Sequence, residues 1–481
     1  MKGSSQIITV LAAIVLAGAL MLFAGYRPGY FSNLTIMSGI LLLEIAAVAA
    51  WHYEKAFFPI LMIVFLWAGT DVPLSGAAAS ARWVFLTVAA LAGVLMRPRH
   101  SHRKRFGAIP MVAFLCVLSA AVSVMVSSRT QISLLKVVSL ALLFLYGAVG
   151  ARLAVAGREA AFFHGLVAAC EAITYLSALL YFVVRFEIFG NANSLGAIMG
   201  VVVVPVLLWA VLIAESRHLK RRRTVALCLA GYLLYSSVSR AAILACGLAV
   251  IGMCIALHRQ KLLLKGAFGL VVLLAALAVL QPQQFGALAS SFTDDVIYKG
   301  KREQGLLGSR NGPWEDTVKV ITASPWFGSG FGTSGLRAET LSSSSSDSMV
   351  RTSGDSTITR EHGNSYLAIA EYVGLLGIVP FLVLIGLVVR LIYRVYVWMW
   401  RTGNPRHYAI PLALICCAGL IHAFFEDWLF AVGYYLNVLF WVSVFVLPDL
   451  LPPVLPESVA MGRVAYPRIV PSGGVPLPTA R

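Results

Sequence analysis

Charge is scarce in this sequence. Asp, Glu, Lys and Arg make up 12% of its 481 residues, about half of the roughly 25% usual in a soluble domain. Hydrophobic residues make up 59%, and the mean hydropathy is +0.83. So little charge cannot cover a water-facing surface, which excludes a soluble globular chain. Cysteine in loops is missing too. All seven cysteines (Cys116, Cys170, Cys228, Cys246, Cys254, Cys416 and Cys417) fall inside apolar runs. Neither a disulfide framework nor a cysteine metal site has the spacing it needs. No internal repeat is visible.

What the chain has instead is a series of apolar runs near the roughly 20 residues that span a bilayer as a helix. Candidate spans are 7–24, 34–50, 57–70, 82–96, 109–126, 132–150, 160–184, 193–214, 224–238, 240–257, 262–280, 365–390, 408–425 and 428–447. The run from Ile7 to Ala24 is long for a cleaved leader and is followed by many others, so it reads as a first membrane helix. The third and fourth runs are short enough to be re-entrant. The expected fold is all-α and polytopic, with about 12–14 transmembrane helices.

The net charge of +17 would suggest a nucleic-acid partner in a soluble chain, but its distribution argues against one. Arg97, Arg99, Arg103, Lys104 and Arg105 form one cluster, Lys220 to Arg223 a second, and Arg390, Arg394, Arg401 and Arg406 a third. Short loops rich in Lys and Arg stay cytoplasmic. Starting with Lys2 inside, the span order puts all three clusters on the cytoplasmic side, with Arg152, Arg158, Arg259, Lys261 and Lys265, and leaves both termini inside. His52, His100, His102, His218, His258 and His407 fall on that side and are not catalytic candidates.

Residues 281–364 fall on the opposite side as one long loop, with eight basic and nine acidic residues. The domain plan is therefore 1–185 N-terminal spans, 186–280 further spans, the 281–364 loop, 365–447 C-terminal spans and a disordered cytoplasmic tail, 448–481. Within the loop, SRNGPWEDTVKVITASPWFGSGFGT (309–333) reads as a short amphipathic surface helix. Pro313 stands at its N1, Trp314, Val318 and Ile321 share a face, and a Gly-rich turn follows. The Ser-rich stretch 341–357 reads as low complexity.

Ionisable residues at the membrane edge are functional candidates by default. Arg240 in SSVSRAA (236–242), Arg310 in the loop and His362 ahead of the 365 span share the outer face. Paired guanidiniums suit a phosphate-bearing, lipid-anchored ligand, and a neutral imidazole beside them suits proton abstraction from a hydroxyl. Asn364 reads as a helix cap. Glu371, seven residues on, lies about 10 Å further along the helix, placed to orient an arginine or tyrosine inside the bundle. Gly374 and Gly377 read as packing residues. His422, Glu426 and Asp427 stand at the outer end of a later span, where ordinary interfacial placement is the expected role. Asn191 and Asn193 suit either sugar binding or a helix cap, with the cap favoured.

In order, GNANSLG (190–196), SSVSRAA (236–242), the 309–333 segment and HGNSYLAIAEYVGLLG (362–377) resemble the motifs of the O-antigen ligase / polysaccharide polymerase family. The N-terminal spans resemble it only in being hydrophobic. The resemblance implies a metal-independent, inverting glycosyltransferase without cofactor, in the bacterial inner membrane. It would transfer a glycan from undecaprenyl diphosphate to an acceptor sugar hydroxyl at the periplasmic face, in exopolysaccharide or lipopolysaccharide O-antigen synthesis. It implies Arg240 and Arg310 on the diphosphate and His362 as the base, with Glu371, Asn364 and Asn193 in support.

The partners it implies are that lipid-linked donor, a glycan or lipid A-core acceptor, membrane lipids and other polysaccharide assembly proteins, with no nucleic acid. The span number leans toward a polymerase, with a ligase as the alternative. A transporter or flippase of lipid-linked glycans is the competing class, although such folds usually carry internal symmetry.

Overall fold

The structure is a computed structural model that describes residues 56–96, 107–186, 188–281, 308–334 and 362–452, with the isolated residues 283 and 286. The expected spans 7–24 and 34–50, the 97–105 basic cluster, the Ser-rich stretch and the tail beyond residue 452 lie outside the described residues.

The described chain is helical throughout and contains no strand. In order, its helices are α1 (Phe58–Ala68), α2 (Ser75–Met96), α3 (Ala108–Val124), α4 (Thr130–Tyr146, continuing through a π turn to Val155) and α5 (Glu159–Ala178). Then come α6 (Ala192–Ile198, continuing through a π turn to Leu212), α7 (Arg217–Ser236), α8 (Arg240–Ala256) and α9 (Gln260–Leu280). The loop helix α10 (Gly308–Ala323) precedes α11 (Ser365–Thr402), α12 (Ala409–His422) and α13 (Tyr435–Val446). Among the described residues, five stretches are long and apolar enough to cross a membrane: Ser75–Met96, Thr130–Val155, Glu159–Val184, Ala192–Leu212 and Ser365–Thr402. The chain is a multi-pass membrane protein.

Several boundaries differ from the sequence reading: α7 begins at Arg217 rather than at 224 and α13 at Tyr435 rather than at 428. α2 begins at Ser75, because the Ala-rich run after it continues the helix although it adds little hydropathy. α11 runs on to Thr402, carrying its arginines on its last turns.

The centre of the bundle is α13, buried at every position, with α12 nearly as enclosed. Around them the other helices keep Leu, Val and Phe exposed, including Leu115, Leu135, Leu248 and Leu382. Exposed apolar faces of this kind suit contact with lipid chains. Where helices cross closely, small residues admit the neighbour: a side chain at Gly200 would meet the Ala242 carbonyl at 2.7 Å. The arginine-rich ends are tied together. Arg223 donates to Ala210 O, Trp209 Nε1 donates to Pro405 O, and Arg152 pairs with Asp449 at 2.6 Å. The starts of α8 and α11 and the ends of α3 and α12 lie at the opposite end, where the loop helix docks.

That docking depends on a break in α11. Gly374 adopts φ 68°, ψ −178°, a conformation open almost only to glycine. The break releases backbone groups that water cannot reach, and such groups require partners. The turn after α10 supplies them: Ser329 N donates to Glu371 O at 2.8 Å and Gly330 N to Tyr372 O at 3.2 Å. In return, Leu375 N donates to Pro325 O at 2.7 Å and Leu376 N to Trp326 O at 3.2 Å. Ser127, between α3 and α4, fastens the turn from the other side through Thr333 Oγ1 at 3.0 Å.

α10 differs in register from the expectation. It starts at Gly308, so Pro313 lies inside it rather than at its first position. Its inner face is Trp314, Thr317 and Val320, while Val318 is exposed, because the helix packs on α11 rather than lying with a free apolar stripe outward.

Gly374→Ala tests the break. The backbone strain costs roughly 1–3 kcal/mol, and the added Cβ would meet Trp326 O at 2.4 Å. The variant should melt several degrees lower in detergent and become cleavable by chymotrypsin at Trp326–Phe327. An unchanged melting point and cleavage pattern would show that the break does not depend on glycine.

Candidate active site

The start of α11 builds the site. Asn364, extended at φ −164° and ψ 119°, accepts from Tyr366 N at 2.8 Å and Leu367 N at 3.2 Å, and so caps the helix. Gly363 before it has φ 64°, which swings His362 back along the first turns. The imidazole is 1% exposed and meets the Tyr372 ring edge-on at 5.1 Å.

Both ring nitrogens face carboxylates. Nδ1 lies 2.5 Å from Asp427 Oδ2. Nε2 lies 3.3 Å from Glu371 Oε2, without hydrogen-bond alignment. Glu371 is fully buried, and its Oε1 accepts from Ser334 Oγ at 3.3 Å. Among the described contacts, the Glu371 carboxylate faces the histidine. The fold-back at Gly363 is the reason.

Ser365 places the second carboxylate. Its Oγ donates to Glu426 O at 2.6 Å and accepts from Trp428 N and Leu429 N, each at 3.1 Å. The turn after α12 is thereby clamped onto the start of α11, with Glu426 and Asp427 facing inward.

Glu426 pairs with Arg310 of α10 through Oε1 and Nη2. The Arg310 stem lies against Gly363, and Trp314 Nε1 donates to Gly363 O at 3.1 Å. Arg240 opens α8 after the extended Ser239, and the Arg310 charge acts on it. The two guanidiniums thus stand within electrostatic range of one another. Gly196, one turn beyond Asn193, packs against Ser237 and Ser239 of the Ser-Arg hairpin. Asn191, rather than Asn193, is the cap of α6, accepting from Asn193 N at 2.8 Å. No described contact joins Asn193 to His362.

Burial works against a charge on His362, but the Asp427 and Glu371 carboxylates outweigh it and hold the pKa up at about 9. At pH 7 the resting site therefore contains an imidazolium between two carboxylates. Its Nδ1–H donates to Asp427, which is a charge-assisted hydrogen bond.

Three features were weakly signalled or missed in the sequence. Asp427 follows His362 by 65 positions, and no spacing rule pairs them. His422 is buried within the bundle rather than interfacial, with Nδ1 accepting from Trp428 Nε1 at 2.7 Å. Lys136, on α4, donates from Nζ to Gly332 O in the docked turn, and its signal was a lone lysine inside an apolar run. His258 and His407 lie against Trp400 and Trp398 at the arginine-rich end, away from the site.

The described bundle thus gathers arginines, carboxylates and a histidine at one end. Residues 224–382, about a third of the chain, match the family described as O-antigen ligase. The matched segment contains Arg240, Arg310, His362, Asn364 and Glu371, but not Lys136, Glu426 or Asp427. The match supports an O-antigen ligase-like, glycosyl-transferring membrane enzyme. No curated protein matches the chain.

Histidine-selective 15N NMR of the full-length protein should show His362 charged at pH 7. Asp427→Asn should lower its titration midpoint by at least about one unit, since that carboxylate favours the charged form. A neutral His362 at pH 7, or a midpoint indifferent to Asp427→Asn, would contradict the assigned electrostatics.

Proposed function

We propose that the chain transfers a glycan from undecaprenyl diphosphate to an acceptor sugar hydroxyl at the periplasmic face of the bacterial inner membrane. The supporting observation is the shared position of His362, Arg310 and Arg240 at one end of the bundle, with Arg310 and His362 both held by the turn at Glu426 and Asp427. In this reading both termini are cytoplasmic, as the basic clusters imply.

The chemistry follows from the groups present. Arg240 and Arg310 grip the diphosphate, which departs with its negative charge matched by fixed guanidiniums. Each such preorganised donor supplies roughly 10²–10³ in rate. The acceptor hydroxyl meets His362 Nε2, the nitrogen without an aligned hydrogen bond, while Nδ1–H stays on Asp427. The hydroxyl oxygen forms the new glycosidic bond to the anomeric carbon as the bond to the diphosphate oxygen breaks. The proton passes to Nε2, where Glu371 and Asp427 stabilise the resulting imidazolium. Attack opposite the leaving diphosphate inverts the anomeric carbon. The arginines meet the leaving group's need for positive charge, so the reaction runs without a metal or cofactor.

The proposed acceptor is another lipid-linked repeat unit, which makes the enzyme a polymerase. The alternative reading is a ligase that transfers the finished chain to lipid A core. Purified protein given a synthetic polyprenyl-diphosphate glycan and each acceptor in turn separates the two. Movement of the lipid across a vesicle membrane without bond cleavage would instead indicate a flippase.

In that assay His362→Ala should lose about 10²–10⁴-fold in rate, the worth of a positioned base. Arg240→Ala and Arg310→Ala should each lose at least about 10²-fold, with all three variants still inserting. Since His362 must be neutral to accept a proton, kcat/KM should rise about tenfold per pH unit below its midpoint of about 9. EDTA should leave the rate unchanged. Normal rates in the variants, or activity lost to EDTA and restored by magnesium, would overturn the reading.

A further inference from the structure

The bundle holds a cavity distinct from the candidate site. About 310 Å³ in volume, it lies between α1, α5, α6 and α13, and its walls are almost wholly apolar, with Met62, Val202 and Leu439 among them. Along α5 its lining is Arg158, Phe162, Gly165, Ala169 and Ile173. These share one helical face, so the cavity follows α5 for about 22 Å. That is longer than the roughly 15 Å of hydrocarbon in one leaflet.

The cavity is a groove open to the side of the bundle. Gly165 and Ala169 are exposed along it, and a Cβ at Gly165 would meet nothing within 4 Å. On its inner side it reaches the central helix α13 through Leu436 and Leu439. Water does not suit such a space, because a buried water needs two or more polar partners. Apart from the Cys170 thiol, the described lining carries polar side chains only at its two ends, Tyr435 and Arg158.

The two ends differ. Tyr435 walls the end nearer the candidate site. Its hydroxyl donates to Ser194 O at 3.0 Å and accepts from Tyr434 at 3.1 Å. Its ring is pressed against Gly69, where an added Cβ would meet Cδ1 at 2.8 Å. Arg158 stands at the opposite, arginine-rich end, as the N-cap residue of α5. The Glu159 carboxylate beside it turns back to accept from Gly157 N.

An apolar trough with a cation at one end matches a lipid. The hydrocarbon chain fills the trough and the phosphate meets the guanidinium, which offers it two parallel hydrogen bonds. Basic pockets between membrane helices hold anionic headgroups in this way. The polyprenyl donor fits less well, since its diphosphate is assigned to Arg240 and Arg310 at the far end, beyond Tyr435.

We propose that this groove binds one anionic phospholipid from the leaflet at the arginine-rich end, with its phosphate at Arg158 and an acyl chain between α5 and α13. The chain supplies the packing that the walls of an empty apolar groove would lack. The site is independent of the transferase reading.

Native mass spectrometry and thermal unfolding of the full-length protein, titrated with palmitoyl-oleoyl phosphatidylglycerol, test it. Wild type should retain one lipid through detergent exchange and melt higher as the lipid is added. Gly165→Phe, whose Cβ enters open space, should plug the groove and lose both the retained lipid and the melting shift. Ala169→Leu serves if that variant does not insert. Arg158→Gln should bind phosphatidylglycerol about fivefold more weakly, with Arg158→Lys close to wild type.

Equal lipid retention and an equal melting shift in wild type and a plugged variant would overturn the proposal. So would an affinity indifferent to Arg158→Gln. Retention of a polyprenyl phosphate in place of the phospholipid, lost on plugging, would also overturn it and assign the groove to the donor's tail.

Discussion

Four backbone hydrogen bonds between the turn after α10 and the broken strand of helix at Gly374 hold the candidate site in place. A membrane helix normally satisfies its own polar backbone, so a break inside the bundle must be repaired by another segment. Here the repair and the site are one construction. The turn that fills the break follows the helix carrying Arg310 and brings Thr333 and Ser334 against α11, where Ser334 reaches Glu371. Glu371 itself accepts from Ser329 N with its carbonyl and faces His362 with its carboxylate.

From that joint the electrostatics follow. α11 carries the histidine at its entrance and one carboxylate two turns in, and Ser365 clamps the turn that carries the other carboxylate. The buried Glu371 and the partly buried Asp427 need a counter-charge, and the imidazolium between them supplies it. Arg310 is neutralised in turn by Glu426, which fixes its direction at rest. The pocket presents guanidinium donors at its edge, an arrangement suited to holding a diphosphate briefly and letting it go.

Much of this was legible in the sequence, for identifiable reasons. Helices declare themselves by apolar length, and an Arg or His at the edge of an apolar run is conspicuous because burial makes charge costly. Asn364 was legible as a cap because its residue type and its place before the run coincide. The partnerships were not. Asp427 reaches His362 only because Ser365 folds one turn onto another, and a tertiary hydrogen bond leaves no periodic trace. The approach of Glu371 to His362 was not legible either, because helical spacing gives its distance from Asn364 but says nothing of the fold-back at Gly363. Pro313 was read as a helix start, as its propensity favours, whereas packing on α11 extends the helix ahead of it. Lys136 stood in plain view as a charge inside an apolar run, but its partner, the Gly332 carbonyl, lies in the docked turn 196 positions away.

The central claim is that Arg240, Arg310 and His362 form one pocket that receives a diphosphate-linked glycan. An electron cryo-microscopy structure of the protein with a polyprenyl-diphosphate glycan bound tests it most directly. The account predicts diphosphate density within hydrogen-bonding distance of both guanidiniums and the glycan's reacting carbon on the His362 side. A diphosphate bound elsewhere in the bundle, or the two arginines facing opposite sides of the membrane, would contradict it.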